Sequence, residues 1–339
     1  MNMKLQGWRI GQFFVWMIGL WIFIALLVAP ELGLHAFWDV LIPLAPILIV
    51  FAPGLWRNVC PISTVSLFNR HRGWSMQKRL SRKRQANLTT VGMILLLVLI
   101  PLRHTLFNTN GMATAVLLLI LSLTAFVLGW LYDWKSAWCA GMCPVHQVEK
   151  LYGSRAGSSY LNAHCRSCSN CSIPCPDSTV KGFVNPTAND KRGQKNGLFL
   201  CAGFPGFIWG WFQVPDYSEW NSMVQLGTVY LWPILGLLIS LTLFFTLKKL
   251  LPGSSRQYLI PGFTALAVSL YYWYRIPALM GLGVYPGDGM LVDLHDSVPA
   301  YVPALIPFLL GILFFWWFLK RPLEASWLIR PEYIKRERS

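Results

Sequence analysis

Seven stretches of this chain are each about twenty residues long and almost wholly apolar, near 10–29, 37–56, 88–107, 112–131, 225–247, 258–281 and 300–319. Each can cross a hydrocarbon layer of about 30 Å. Inside that layer no water satisfies the backbone, so every N–H and C=O must pair within the segment, and a helix is the structure that does so. An eighth stretch, "LFLCAGFPGFIWGWF" at 198–212, is shorter and interrupted by glycines and Pro205. Hydrophobic residues make up 55% of the chain and charged residues 13%, a balance that excludes a water-soluble globular domain. The formal charge of +15 does not point to nucleic acid, because the basic residues stand in short blocks beside apolar runs.

Those blocks predict topology. The segment 57–88 holds Arg57, Arg70, Arg72, Lys78, Arg79, Arg82, Lys83 and Arg84 and no acidic residue, which predicts a cytoplasmic loop. The first apolar run lacks a small-residue cleavage site and is expected to stay as the first span. If 198–214 crosses, "PDYSEWNSM" and "PGDGMLVDLHDSVP" fall outside, while Lys248, Lys249 and the basic tail from Lys320 fall inside. The expected fold is therefore an all-α polytopic membrane protein with about eight transmembrane helices. A re-entrant 198–214 would give seven. Its parts are a four-helix region 1–132 with the basic loop 57–88, a cytoplasmic segment 133–197, a second transmembrane region 198–319 and a basic cytoplasmic tail 320–339.

Eight cysteines follow this topology to the cytoplasmic side: Cys60, Cys139, Cys143, Cys165, Cys168, Cys171, Cys175 and Cys201. The reducing cytoplasm disfavours disulfides and favours thiolate–metal bonds. "CRSCSNCSIPCP" has the C-x2-C-x2-C-x3-C-P spacing of bacterial [4Fe–4S] ferredoxins. Two-residue gaps let the backbone curl so that Cys165, Cys168 and Cys171 meet three irons of one cube, while Cys175 is directed to another. "WCAGMCP" adds Cys139 and Cys143, four residues apart and hence on one helix face. Two cubes then use all eight thiols, with Cys60 assigned to the first cluster and Cys201 to the second. Zinc, which needs only four thiolates in a tetrahedron, is the competing reading.

"WCAGMCP", "CRSCSNCSIPCP" and, in part, "WRNVCP" resemble the membrane-bound polyferredoxins of the NapH and NosR type, over roughly residues 40–180. Trp56 stands where a leading cysteine would be, and Cys201 stands alone where a second ferredoxin string would be. The resemblance implies ferredoxin-like cytoplasmic cluster loops in a bacterial inner (plasma) membrane. It implies relay of single electrons between a quinone/quinol pool or other donor and a partner oxidoreductase subunit. An accessory role in assembling a partner metalloenzyme, and a zinc-stabilised scaffold, are the alternatives. No nucleophile, acid–base pair or nucleotide loop points to a self-contained catalyst.

The remaining polar residues read blandly in sequence. None of the six histidines lies at mid-span, which argues against haem. His35, His104 and His295 fall on the outer side near Asp39, Asp293 and Asp296 and are expected to be separate surface groups, with a metal or quinol-deprotonation site as the alternative. Arg103 and Arg275 are expected to snorkel to the outer headgroups. His146, Glu149 and Lys150 are expected on an exposed helical turn, with a proton relay to a quinone as the alternative. "KRLSRKRQ" is expected to meet anionic membrane lipid.

Overall fold

The computed structural model describes residues 3–132, 135, 137–158, 160–161, 191–217, 223–299, 301–322 and 328–329. Cys165, Cys168, Cys171 and Cys175 lie outside the described residues, as do most of the expected iron–sulfur segment and of the basic tail. The chain is an all-α polytopic membrane protein. Among the described residues six helical stretches are long and apolar enough to cross a membrane: Gln6–Val28, Pro30–Phe51, Lys83–Phe107, Gly111–Leu131, Met223–Leu250 and Val302–Lys320.

Helix α1 (Met3–Val28) is followed by α2 (Pro30–Leu34), a π-helical turn His35–Leu41 and α3 (Ile42–Phe51). Two short helices come next, α4 (Pro53–Val59) and α5 (Pro61–His71), before α6 (Arg82–Leu102), which widens into a π-turn at Arg103–Phe107. Then come α7 (Gly111–Leu131), a π-turn at Trp138–Met142 and α8 (Pro144–Tyr152). The C-terminal part holds α9 (Lys191–Trp211), α10 (Met223–Leu250), the short α11 (Gly253–Arg256), α12 (Leu259–Leu279) and α13 (Val302–Lys320). Two two-residue strands, β1 (Tyr160–Leu161) and β2 (Leu328–Ile329), pair in parallel.

Polar residues mark the starts of the helices. The Ser81 hydroxyl caps α6 by accepting from the Arg84 N–H at 3.3 Å, and the Asn110 side chain caps α7 by accepting from Ala113 at 2.9 Å. Prolines at the first turn open α2, α3, α4, α5, α8 and α13, where their missing N–H costs nothing.

Helix α9 runs beside α6 in the same direction. Asn196 reaches Thr90 near the start of α6 at 2.8 Å, and the Trp211 indole reaches the Ile100 carbonyl near its end at 3.0 Å. Helix α10 returns antiparallel along a seam of small residues. A methyl group on Gly206 would overlap the backbone of Gly236, and Ser240 donates to the Ala202 carbonyl at 2.6 Å. Close backbone approach of this kind is how helices associate where lipid removes the hydrophobic drive. Helix α12 then runs parallel to α9, with the Cys201 thiol 3.7 Å from the Ile260 carbonyl at one end and Phe212 stacked on Tyr274 at the other. Phe314 and Trp317 of α13 pack on Phe51, and Phe314 also on Tyr272. Exposed Phe13, Phe14, Ile18 and Trp21 on α1, and Ile234, Leu238 and Ile239 on α10, form the lipid-facing surface.

Candidate metal centre

Cys60 and Cys143 are built alike. Each precedes a proline (Pro61, Pro144), and steric conflict with the proline ring keeps the preceding residue out of the helical region. Cys60 has φ −52° and ψ 122°, Cys143 φ −60° and ψ 120°. One helix ends, the cysteine turns the chain in an extended conformation, and the proline starts the next helix at once. Cys139 sits in the π-turn Trp138–Met142, a geometry that inserts an extra residue per turn and recurs at functional sites.

These devices set three thiols in one neighbourhood. Cys60, Cys139 and Cys143 stand close enough to act on one another electrostatically, and Cys139 lies 3.5 Å from the Ser63 hydroxyl. Burial, reinforced by the Cys139 and Glu149 charges, pushes the Cys60 thiol up to about 11 and raises Cys143 as well. The site is sunk into the bundle. Gln12 donates to the Asn58 carbonyl at 2.8 Å, and Gly92 allows the Met142 carbonyl to pass where a Cβ would come within 2.8 Å. At ~1.5 Å per residue, Gln12 and Gly92 lie ~9 and ~14 Å inside their spans.

No protein-family model, curated protein or solved structure matches this chain. Its chemistry is therefore read from its own residues. Among the described residues no three His, Cys, Asp or Glu side chains converge tightly enough to hold a metal ion by themselves. Cys201 stands apart from the three thiols just described. It is fully buried on α9 against α12, next to Thr264. Sequence spacing assigns Cys60 to a different cluster from Cys139 and Cys143; the fold puts the three in one neighbourhood.

Around the thiols lies a polar shell that the sequence pattern makes look solvent-exposed. His146 and Glu149 are 1% and 3% exposed, because α8 is sandwiched between α3, α6 and α9. Arg57 Nη1 donates to Glu149 Oε2 and lies 2.9 Å from His146 Nδ1. Lys135, wholly buried, donates to the Arg57 carbonyl at 3.2 Å. Burial and the nearby Lys150, Arg57 and Lys135 charges hold His146 well below the ordinary histidine range, hence neutral. Glu149 Oε2 lies 2.8 Å from the same Nδ1, which leaves the other ring nitrogen, Nε2, for a separate partner. That buried Nε2 has no hydrogen-bond partner among the described residues.

A second polar cluster lies at the opposite end. Arg103 and Arg275, expected to snorkel, are 4% and 2% exposed and converge on buried Asp39. Arg275 also donates to the Trp38 carbonyl at 3.0 Å, and Arg103 stacks over the Trp38 and Trp211 rings. His35 is at the surface as expected but pairs with Asp39 at 2.7 Å, whereas His104 is buried and pairs with Asp216 at 2.5 Å. His295 is exposed, as expected, and its backbone N–H donates to Asp293. Asp39, Arg103 and His104 all occupy π-turns, which no residue pattern announces.

Proposed function

We propose that this chain is a membrane electron carrier that relays single electrons through two [4Fe–4S] clusters, between a quinone pool or other donor and a partner oxidoreductase. The observation that carries the reading is that the fold brings Cys60 into the neighbourhood of Cys139 and Cys143, some 80 residues further along the chain. Thiolates are the donors that iron–sulfur clusters take. His146 Nε2 is buried with no hydrogen-bond partner among the described residues, which leaves a polar atom of this shell for an added group. Arg57 and Lys135 are buried in the polar shell around Glu149, whose carboxylate acts on the Cys60 and Cys143 thiols. Bound there, a cluster supplies one-electron exchange.

The proximity favours a changed ligand set. Cys60, Cys139 and Cys143, completed by Cys175, make one set of four; Cys165, Cys168 and Cys171 make the core of the other, with Cys201 the remaining thiol. We read α9 and α12 as further spans, giving eight, with the cysteine end on the cytoplasmic side of a bacterial inner membrane. The alternating helix directions and the basic residues at that end support this orientation.

The test is anaerobic purification followed by iron and sulfide determination and electron paramagnetic resonance of the reduced protein. Eight irons per chain and two interacting signals are expected from two cubes. Cys168→Ser and Cys139→Ser should each remove a different signal. A colourless, zinc-containing protein would establish the scaffold reading instead, and a cluster-loaded protein that no quinol analogue or reductant can reduce would favour an assembly role.

A further inference from the structure

The end of the bundle remote from the cysteines holds a pair of residues whose hydrogen bonds do not balance without an added proton. His104 lies in the π-turn that closes the α6 span, and its side chain is 5% exposed. Its Nε2 is 3.0 Å from the Trp211 carbonyl oxygen, and its Nδ1 is 2.5 Å from Asp216 Oδ1. A carbonyl oxygen only accepts, so Nε2 must carry a hydrogen. A neutral imidazole has one N–H, which would leave a bare Nδ1 lone pair aimed at an ionised carboxylate oxygen. Two acceptors do not sit at 2.5 Å. One more proton must lie between Nδ1 and Oδ1, whether the pair is written as imidazolium and carboxylate or as imidazole and carboxylic acid.

The surroundings hold the pair in place and leave it a route to water. The other Asp216 oxygen accepts from Asn108, whose own oxygen accepts from Arg103 Nε at 3.3 Å. Tyr217 N–H donates to the His104 carbonyl at 2.7 Å, and the Asp216 N–H donates to Asp288 Oδ2 at 2.7 Å. A cavity of about 40 Å³ opens beside them, lined by Arg103, His104, Asp216, Arg275 and Asp288 with Tyr274 and Tyr285. That is room for ordered water with several polar partners. Arg275 Nε, buried on this cavity, has no partner among the described residues. The charged groups facing the pair are Arg103 on its own element, Asp39 from the turn before α3, Arg275 from α12, and Asp288 from the loop after α12.

We infer that His104 and Asp216 form a proton-exchange site, which stores one dissociable proton and trades it with water through the cavity past Asp288. The ligand is the proton itself. A step at this end that releases or consumes a proton has its acceptor or donor here, whether or not the cysteine end holds iron.

Nitrogen-15 histidine spectra of the full-length protein in nanodiscs, joined to infrared difference spectra, test this directly. At about pH 8 an ordinary histidine, titrating near 6.5, is neutral with one ring hydrogen. Expected is one ring, absent in His104→Gln, with both nitrogens protonated, or else a carboxylic-acid band that Asp216→Asn abolishes. Asp288→Asn leaves the pair intact and should slow deuterium exchange of the shared proton several-fold. A His104 ring with a single hydrogen, together with no acid band sensitive to Asp216→Asn, overturns the site. Exchange unaltered in Asp288→Asn overturns the route, and does so even where Asp216→Asn fails to fold.

Discussion

Cys60 and Cys143 owe their shared backbone conformation to Pro61 and Pro144, and the same logic fixes what each thiol can reach. Replacing Pro144 by Ala would let α8 extend backwards through Cys143 and swing its sulfur away. If the proposed cluster is held there, the expected outcome is a lower iron content with the fold retained, read by metal analysis beside circular dichroism. His71 offers a pH prediction. Burial, with Arg9, Arg70 and Lys135 nearby, lowers it to about 4. The folded chain thus binds this proton more weakly than the unfolded chain, so stability is intact above about pH 6.5 and falls as pH drops towards 4. His71→Gln should flatten that part of the stability–pH curve measured by thermal unfolding. The Cys–Pro pairs are visible in the sequence as local words. The Arg57–Glu149 pair is not, because its partners stand 92 positions apart and only the docking of α8 buries them.

Among the elements, the α9–α10 seam packs two helices closely, and the Asp39 cluster ties the α6 end to α12. Gly206→Ala drives a methyl into the Gly236 backbone, whereas a Cβ on Gly227 meets nothing within 4 Å. The same substitution should lower the thermal midpoint at 206 and leave it level or slightly raised at 227. Asp39→Asn leaves two buried guanidiniums facing a neutral amide and unlinks α6 from α12. A loss of about 3–5 kcal/mol is expected in denaturant titration, against no more than about 0.5 kcal/mol for exposed Glu31→Gln. Hydropathy locates these helices to within a few residues. Arg103 and Arg275 read as snorkelling because each lies near a span end; their common partner Asp39 is hidden by separations of 64 and 236 residues and by a π-turn that re-aims the carboxylate.

Over the whole molecule, the long helices alternate in direction, so α9 decides the sidedness of everything after it. If α9 crosses, Gln257 lies on the cysteine side and Val284 on the other; if it does not, the two exchange sides. Single cysteines introduced there, exposed to a membrane-impermeant thiol reagent in intact cells, should label at Val284→Cys and stay silent at Gln257→Cys. The stretch 198–212 is hard to read as a span because Gly203, Gly206 and Gly210 lower its apolarity while serving the seam with α10. What makes it pack makes it look unlike a span.

The small pairing of Tyr160 with Leu328 and of Leu161 with Ile329 has a practical consequence. It fastens the far end of the polypeptide to the threshold of its cysteine-rich middle. A basic tail that looks expendable by composition is therefore a poor place to truncate: ending the chain at Arg321 strips Tyr160 and Leu161 of their backbone partner, and any iron held by the proposed clusters should decline although no thiol has been touched.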